Sequence, residues 1–304
     1  MDFLISGQHV NPIYLMILGF VVGVFGGFFG VGGSFIAGPG LFAAGVPMNF
    51  VVGTDLAHIV GKSIVATRKH FIRGNVDMKL GLIMAGGTIA GTEVGAQAIE
   101  YLKRLGQVNK VVGIFFIAVL LSISAFMAWE SWLTLKMKKK GAKLRKRKAD
   151  QSAISNFSAR IQRLNLPPMI KLSASGIKQI SLWVVIAVAF VGGVFAGFLG
   201  GGAGYIRMPS LVYILGVPTH VAVGTDLFEI IISASYGTLT HAIKGNVDIL
   251  IALVMHTGAA VGAQIGVTLT QYFGGPRIRM AFVPLPLIGA ALIVYGLVTG
   301  TQLK

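Results

Sequence analysis

The 304-residue chain contains no cysteine. That absence excludes disulfides, thiolate metal sites and a thiol nucleophile. Charge is scarce too: Asp, Glu, Lys and Arg make up 12% of the residues, and only 10 are acidic. None of these four types occurs from Phe3 to Thr54, and further uncharged runs cover Val111–Trp129, Gln179–Ile206, Ile249–Pro276 and Met280–Leu303. A soluble domain of this length needs a more polar surface. What is present instead is 54% hydrophobic residues and a mean hydropathy of +0.78. A bilayer core takes about 20 apolar residues per helix, so the composition predicts an all-α polytopic membrane protein.

The charge that exists is unevenly placed. Residues Lys136–Lys178 hold 13 of the 26 Lys and Arg and a single acid, Asp150, within a chain of net charge +16. A basic block beside a span marks the cytoplasmic side and can touch anionic head groups. Its confinement to one loop argues against a nucleic-acid partner. Within the loop, Ile154, Phe157, Ile161 and Leu164 recur at helical spacing with Arg160 and Arg163 opposite, which predicts a short amphipathic helix on the membrane surface. The N-terminus lacks the basic flank, short apolar core and small-residue site of a cleaved signal peptide.

The chain repeats itself. HFIRGNVD (70–77) returns as HAIKGNVD (241–248), VGTD (52–55) as VGTD (223–226), and GFFGVGGSFIAGP (27–39) aligns with GFLGGGAGYIRMP (197–209). These matches, in one order, predict two homologous transmembrane halves, 1–135 and 179–304, joined by a basic cytoplasmic linker, 136–178. Each half offers four apolar segments, near 13–44, 50–69, 79–100 and 108–133, then 180–214, 220–241, 248–272 and 279–301. Eight crossings would put both termini on the cytoplasmic side with the linker. Lys103, Arg104, Lys110, Arg277 and Arg279 then fall on the outer side against the charge rule. A re-entrant first segment would change the count and invert the halves; the pattern leaves both arrangements open.

The first segment of each half is interrupted by glycine. Residues 13–44 would form a helix of about 48 Å, against a hydrocarbon core of about 30 Å. The expected construction is helix, break, then a new helix near Ser34–Pro39 and Gly204–Pro209. Broken backbone inside a membrane must line protein or a wet cavity, and a helix N-terminus there suits an anion. Gly30, Gly32, Gly33 and Ser34, with Gly200, Gly201, Gly202 and Gly204, are the candidate substrate contacts. The competing reading is close helix packing, which accounts for Gly87/Gly91 and Gly258/Gly262. A dinucleotide fingerprint lacks its strand–turn–helix setting.

The paired G-F-[FL]-G-[VG]-G-G stretches, the [VI]-P followed by VGT, and the H-x-I-[KR]-G-N-V-D loops resemble the TauE/SafE sulfite exporter family. The resemblance covers nearly the whole chain outside the central loop, whose length departs from the family pattern. It implies secondary transport, by an exporter, of small sulfur-containing anions such as sulfite or organosulfonates across a prokaryotic inner membrane. A passive anion channel is the alternative.

Ionisable residues within spans are costly and functional by default. Lys62 and Arg207 align with the neutral Ser233 and Ala37, so each half contributes one unmatched cation. Both converge on one anion in this reading, with Thr54 and Thr225 as hydroxyl donors; the alternatives are snorkelling, or pairing with Asp226 or Glu229. Asp55 and Asp226 serve as N-caps or couple transport to an ion. His58, which aligns with Glu229, and Glu93, which aligns with Gln264, are candidates for a proton relay. His70 and His241, with Asn75 and Asn246, belong to two short cytoplasmic turns. No metal-ligand spacing and no nucleophile–base pair occurs, so no metal, cofactor or enzymatic activity is expected. The partners expected are a small anion, anionic lipid at the linker and a second copy of the chain.

Overall fold

A computed structural model describes residues 2–3, 5–140 and 154–299. The middle of the basic linker, 141–153, and the last residues, 300–304, lie outside the described residues. A hairpin of β1 (Asp2–Phe3) and β2 (Gln8–His9) leads into α1 (Pro12–Phe29), α2 (Ser34–Ala43), α3 (Met48–Ile72), α4 (Met78–Arg104) and α5 (Val108–Lys140). The linker helix α6 (Ile154–Gln162) and a second hairpin, β3 (Met169–Leu172) with β4 (Ile177–Ser181), follow. Then come α7 (Leu182–Leu199), α8 (Gly204–Ser210), α9 (Thr219–Ile243), α10 (Ile249–Thr270), α11 (Gly275–Phe282) and α12 (Pro284–Thr299).

Local chemistry sets the ends of these helices. Asn11 accepts from the Ile13 N–H at 2.9 Å with Pro12 in the first turn, and Asp77 and Asp248 cap α4 and α10 in the same way. Such caps satisfy N–H groups that have no partner inside the helix. α3 and α9 begin after Pro47 and Pro218, where proline cannot donate.

Glycine lets the helices touch. A Cβ on Gly91 or Gly95 would strike the backbone of α7, and one on Gly258, Gly262 or Gly266 would strike that of α1. The contacts rise together along both chains, so α1 runs parallel to α10 and α4 parallel to α7. The other directions follow from side-chain bonds. Lys103, near the end of α4, donates to Lys244 O at 3.0 Å, while Arg73, past the end of α3, donates to Val267 O at 2.6 Å near the end of α10. α3, α4, α5, α9, α10 and α12 therefore run from one end of the bundle to the other. α2 turns back along α1, with Tyr14 donating to Gly40 O at 2.9 Å, and α8 turns back along α7, with the Arg207 stem against Gly192.

Several expectations are corrected by this path. Among the described residues six helices, rather than eight segments, are long and apolar enough to cross a membrane: Pro12–Phe29, Met48–Ile72, Val108–Glu130, Leu182–Leu199, Ile249–Thr270 and Arg277–Thr299. α4 and α9 are as long but more polar, because they carry Thr88, Thr92 and Glu93, and Asp226, Glu229 and Ser233. β1, β2 and the end of α12 lie at the bundle end opposite the linker helix, since each glycine-broken pair returns to the end it came from. The GNVD turns lie at opposite ends for the same reason. His70 and His241 are not in those turns; they are buried in the last turns of α3 and α9, facing Gly27 O at 3.4 Å and Gly197 O at 3.0 Å.

The linker helix forms as its periodicity predicts, and it docks on protein. Gln162 donates to Leu215 O at 2.8 Å, where the chain after α8 passes through one π-helical turn, Leu211–Leu215.

The close crossings generate a stability prediction. Gly91→Ala and Gly262→Ala should each lower thermal stability in detergent by an overpacking cost of about 1–3 kcal/mol. Gly86→Ala, which meets nothing within 4 Å, should leave it equal or slightly raised, since alanine favours helix. Unchanged melting for all three variants would contradict the packing.

Candidate functional site

Both breaks rest on glycine in the left-handed region. Gly30, Gly32 and Gly33 have φ of 74°, 69° and 80°, and Gly200, Gly201 and Gly202 have 83°, 66° and 69°. An L-residue pays roughly 1–2 kcal/mol there, so three such positions within four residues, consecutive in the second break, require glycine and reverse the chain. Gly204 has ordinary helical angles and is needed for a different reason: a Cβ would meet the Val31 backbone at 2.6 Å and Asp226 Oδ2 at 2.8 Å.

The two breaks meet. Ser34 Oγ, at the start of α2, donates to Gly201 O at 2.9 Å. Gly30 packs on Val223 of α9, and Gly200 packs on Val52 of α3. Each interruption therefore lies against the other and against the helix that follows the other. Every glycine expected at the site, with Ser34, is at this junction. Thr54 Oγ1 accepts from the Asp248 N–H at 2.9 Å and Thr225 Oγ1 from the Asp77 N–H at 2.8 Å, and accepting leaves each hydroxyl its own proton to donate. Those capping aspartates also accept from Ser6 Oγ and Ser175 Oγ, both at 2.7 Å, in the turns of the two hairpins.

Beneath the junction lie six ionisable groups, each 0–1% exposed: Asp55, His58, Lys62, Arg207, Asp226 and Glu229. Asp55 and Asp226 sit in the third turns of α3 and α9, so the N-cap reading is corrected; the prolines displace the helix starts by two turns. On α3, His58 Nδ1 lies 3.2 Å from Asp55 Oδ1. One turn further on, Lys62 Nζ has no hydrogen-bond partner, and neither do Asp55 Oδ2 and His58 Nε2.

Arg207 differs. Its Nε donates to Asp226 Oδ1 at 2.7 Å, and its Nη1 lies against Glu229 Oε2. The pairing alternative therefore describes Arg207, whose charge is met within the protein. Lys62 retains the unmatched charge. Breaking one member of a buried ion cluster is far more costly than never building it, because a lone charge is left in a low-dielectric interior.

Glu93 is not in this cluster. It is partly exposed near the far end of α9, where Tyr236, Thr240 and Lys244 surround it at 3.1–3.4 Å. Residues that the sequence reading missed include Tyr205, fully buried with its hydroxyl unpartnered and its ring stacked on Phe116. It also missed a second buried ion pair, in which Arg279 faces Glu130 at 3.7 Å and Tyr213 donates to Glu130 at 2.8 Å. An acidic residue directly after the uncharged run Val111–Trp129 was the available signal for Glu130. Among the described residues no group of His, Asp or Glu has the makings of a metal site.

Apolar helices packed around two interrupted ones, with charges buried at the interruption, define a multi-pass membrane transporter. The chain matches the family model described as "Sulfite exporter TauE/SafE" over residues 15–293 and belongs to that family, whose members are transporters rather than enzymes. It is 30% identical over 297 residues to the probable membrane transporter protein YunE of Bacillus subtilis (strain 168), covering 94% of this chain and 98% of that one. It is 23% identical to YdhB of the same organism, covering 92% and 99%. A probable membrane transporter protein of Xylella fastidiosa (strain Temecula1 / ATCC 700964) is 32% identical over 127 residues, 40% of this chain and 47% of that one. No solved structure matches.

The ion cluster predicts a non-additive mutant series. Arg207→Met should cost about 3–5 kcal/mol of stability by leaving two buried carboxylates without their cation. Adding Asp226→Asn and Glu229→Gln should restore most of that loss. Thermal unfolding of the purified variants measures both, and a single variant as stable as wild type would contradict the pairing.

Proposed function

We propose that the protein is a secondary transporter that moves a small sulfur-containing anion, sulfite or an organosulfonate, across the bacterial cytoplasmic membrane. The observation that carries this reading is Lys62: a buried ammonium without a protein partner, in the cluster where the two glycine-broken helix pairs meet. An unpaired ammonium in a low-dielectric interior is costly, and an anion arriving there supplies the missing charge. Arg207, held by its two carboxylates, shapes the junction instead of meeting the substrate. The family's printed description supports sulfite as the type substrate.

The reading includes an inverted duplication, 1–135 and 179–304. The reciprocal bonds of Thr54 with Asp248 and of Thr225 with Asp77 support it, as do the paired crossings of α1 on α10 and α4 on α7. The linker end faces the cytoplasm in this reading. Arg73, Lys79 and Arg279 gather at that end with the linker, which removes the conflict that eight crossings created for Arg277 and Arg279. Rocking of one half against the other would open the sealed centre to each side in turn. A passive channel is disfavoured by six central ionisable groups, none more than 1% exposed.

A thermal-shift screen against sulfite, thiosulfate, taurine, isethionate and sulfoacetate tests the assignment. A true ligand at a hundred times its Kd stabilises by about 2.7 kcal/mol. Wild type should respond to at least one of these anions, and Lys62→Met should lose both that response and flux of the same anion in proteoliposomes. A Lys62→Met variant that keeps both would overturn the site.

A further inference from the structure

The buried charges in the centre do not balance. On α3, Asp55 lies against His58, and Lys62 Nζ has no hydrogen-bond partner. On α8 and α9, the single positive charge of Arg207 faces two carboxylates, Asp226 and Glu229, all three 0% exposed. Fully ionised, this second group carries one negative charge too many. Asp226 Oδ2 accepts no hydrogen bond, so nothing in the protein supplies the missing positive charge on that side.

The neighbours sharpen the point. α1, α2 and α7 contain no Asp, Glu, His, Lys or Arg. α4 contributes the buried hydroxyls Thr88 and Thr92, while its Glu93 is engaged with Lys244 at the far end of α9. α3 presents Asp55, His58 and Lys62, α8 presents Tyr205 beside Arg207, and α9 adds Ser233, whose hydroxyl donates to Glu229 Oε2 at 3.3 Å. The repeat alignment sets His58 opposite Glu229 and Lys62 opposite Ser233. One helix has kept a cation without a partner where the other has kept a surplus carboxylate.

We propose that the Asp226–Glu229 pair holds one proton, shared over Arg207, and that gain and loss of this proton couples anion movement to the proton gradient. The coupling part rests on the transport reading above. Binding converts one carboxylate to a carboxylic acid and brings the group to neutrality. Releasing it restores a negative charge beside the anion site and pushes the anion out. A desolvated site with a surplus charge favours whichever state neutralises it. The division of labour is between helices: α3 supplies the anion's counter-charge and α9 carries the proton.

Two measurements on the full chain separate this proposal from the reading it rests on. Infrared spectra of the protein in lipid nanodiscs at neutral pH should contain the carbonyl stretch of a buried protonated carboxyl group. Asp226→Asn and Glu229→Gln should each abolish that band, and Asp55→Asn should leave it. A missing wild-type band, or one that survives in both α9 variants, overturns the proton site whatever the protein transports. In proteoliposomes, thiosulfate and isethionate serve as probes because neither takes up a proton near neutrality. An imposed pH gradient should drive accumulation of a transported probe, Glu229→Gln should lose that response, and Glu93→Gln should keep it. Anion exchange that ignores the pH gradient, or follows sodium instead, overturns the coupling and leaves the transport reading standing. No movement of either probe alongside an intact infrared result overturns the coupling together with that reading for these anions, while the proton site stands.

Discussion

A backbone that stops being helical inside a membrane must find its hydrogen-bond partners in protein, because lipid offers none. Much else in the fold follows from that constraint. Each glycine-rich break is enclosed by the other and by the helix after the other, with Ser34 bonded to Gly201 and Gly30 set on Val223. The close crossings of α1 on α10 and α4 on α7 hold the broken helices in place, and His70 and His241 lie against the carbonyls of Gly27 and Gly197 near their ends. The doubled aspartate caps, each accepting from a hairpin serine and bonded to a threonine of α3 or α9, each fasten a hairpin to one end of the bundle.

Enclosure also explains why charge is tolerated at the centre. Once the breaks exclude lipid, carboxylates and cations can sit 0–1% exposed, provided that they are paired or have a task. Arg207 is paired twice and Lys62 not at all. The two cations, which look alike along the chain, therefore divide into a structural one and a vacant one.

Much of this was legible along the chain. The breaks were visible because glycine runs followed by proline are out of place within a span, and three positive φ values in each bear that out. The spacing of Ile154, Phe157 and Ile161 marked the linker helix. What was not legible was direction. Residues 13–44 read the same whether the second helix continues forward or turns back, and that choice moves the first hairpin and the end of α12 to the opposite face from the linker helix. Pairing was open for a related reason: Arg207 lies 19 residues from Asp226 along the chain, and whether they meet depends on how α8 returns. The Glu130–Tyr213–Arg279 group joins residues from three distant helices and leaves no periodic trace.

The central claim is that the junction beneath the two breaks is one chamber, open to each side in turn and filled by the anion. The chain has no cysteine, so Ser63→Cys, next to Lys62 on α3 and fully buried, gives a single thiol beside the buried ion cluster. A membrane-impermeant maleimide should label it from either side of sealed proteoliposomes, and the anion that gives the thermal shift should protect it from both. Labelling from one side only, or labelling that the anion does not slow, would contradict the account.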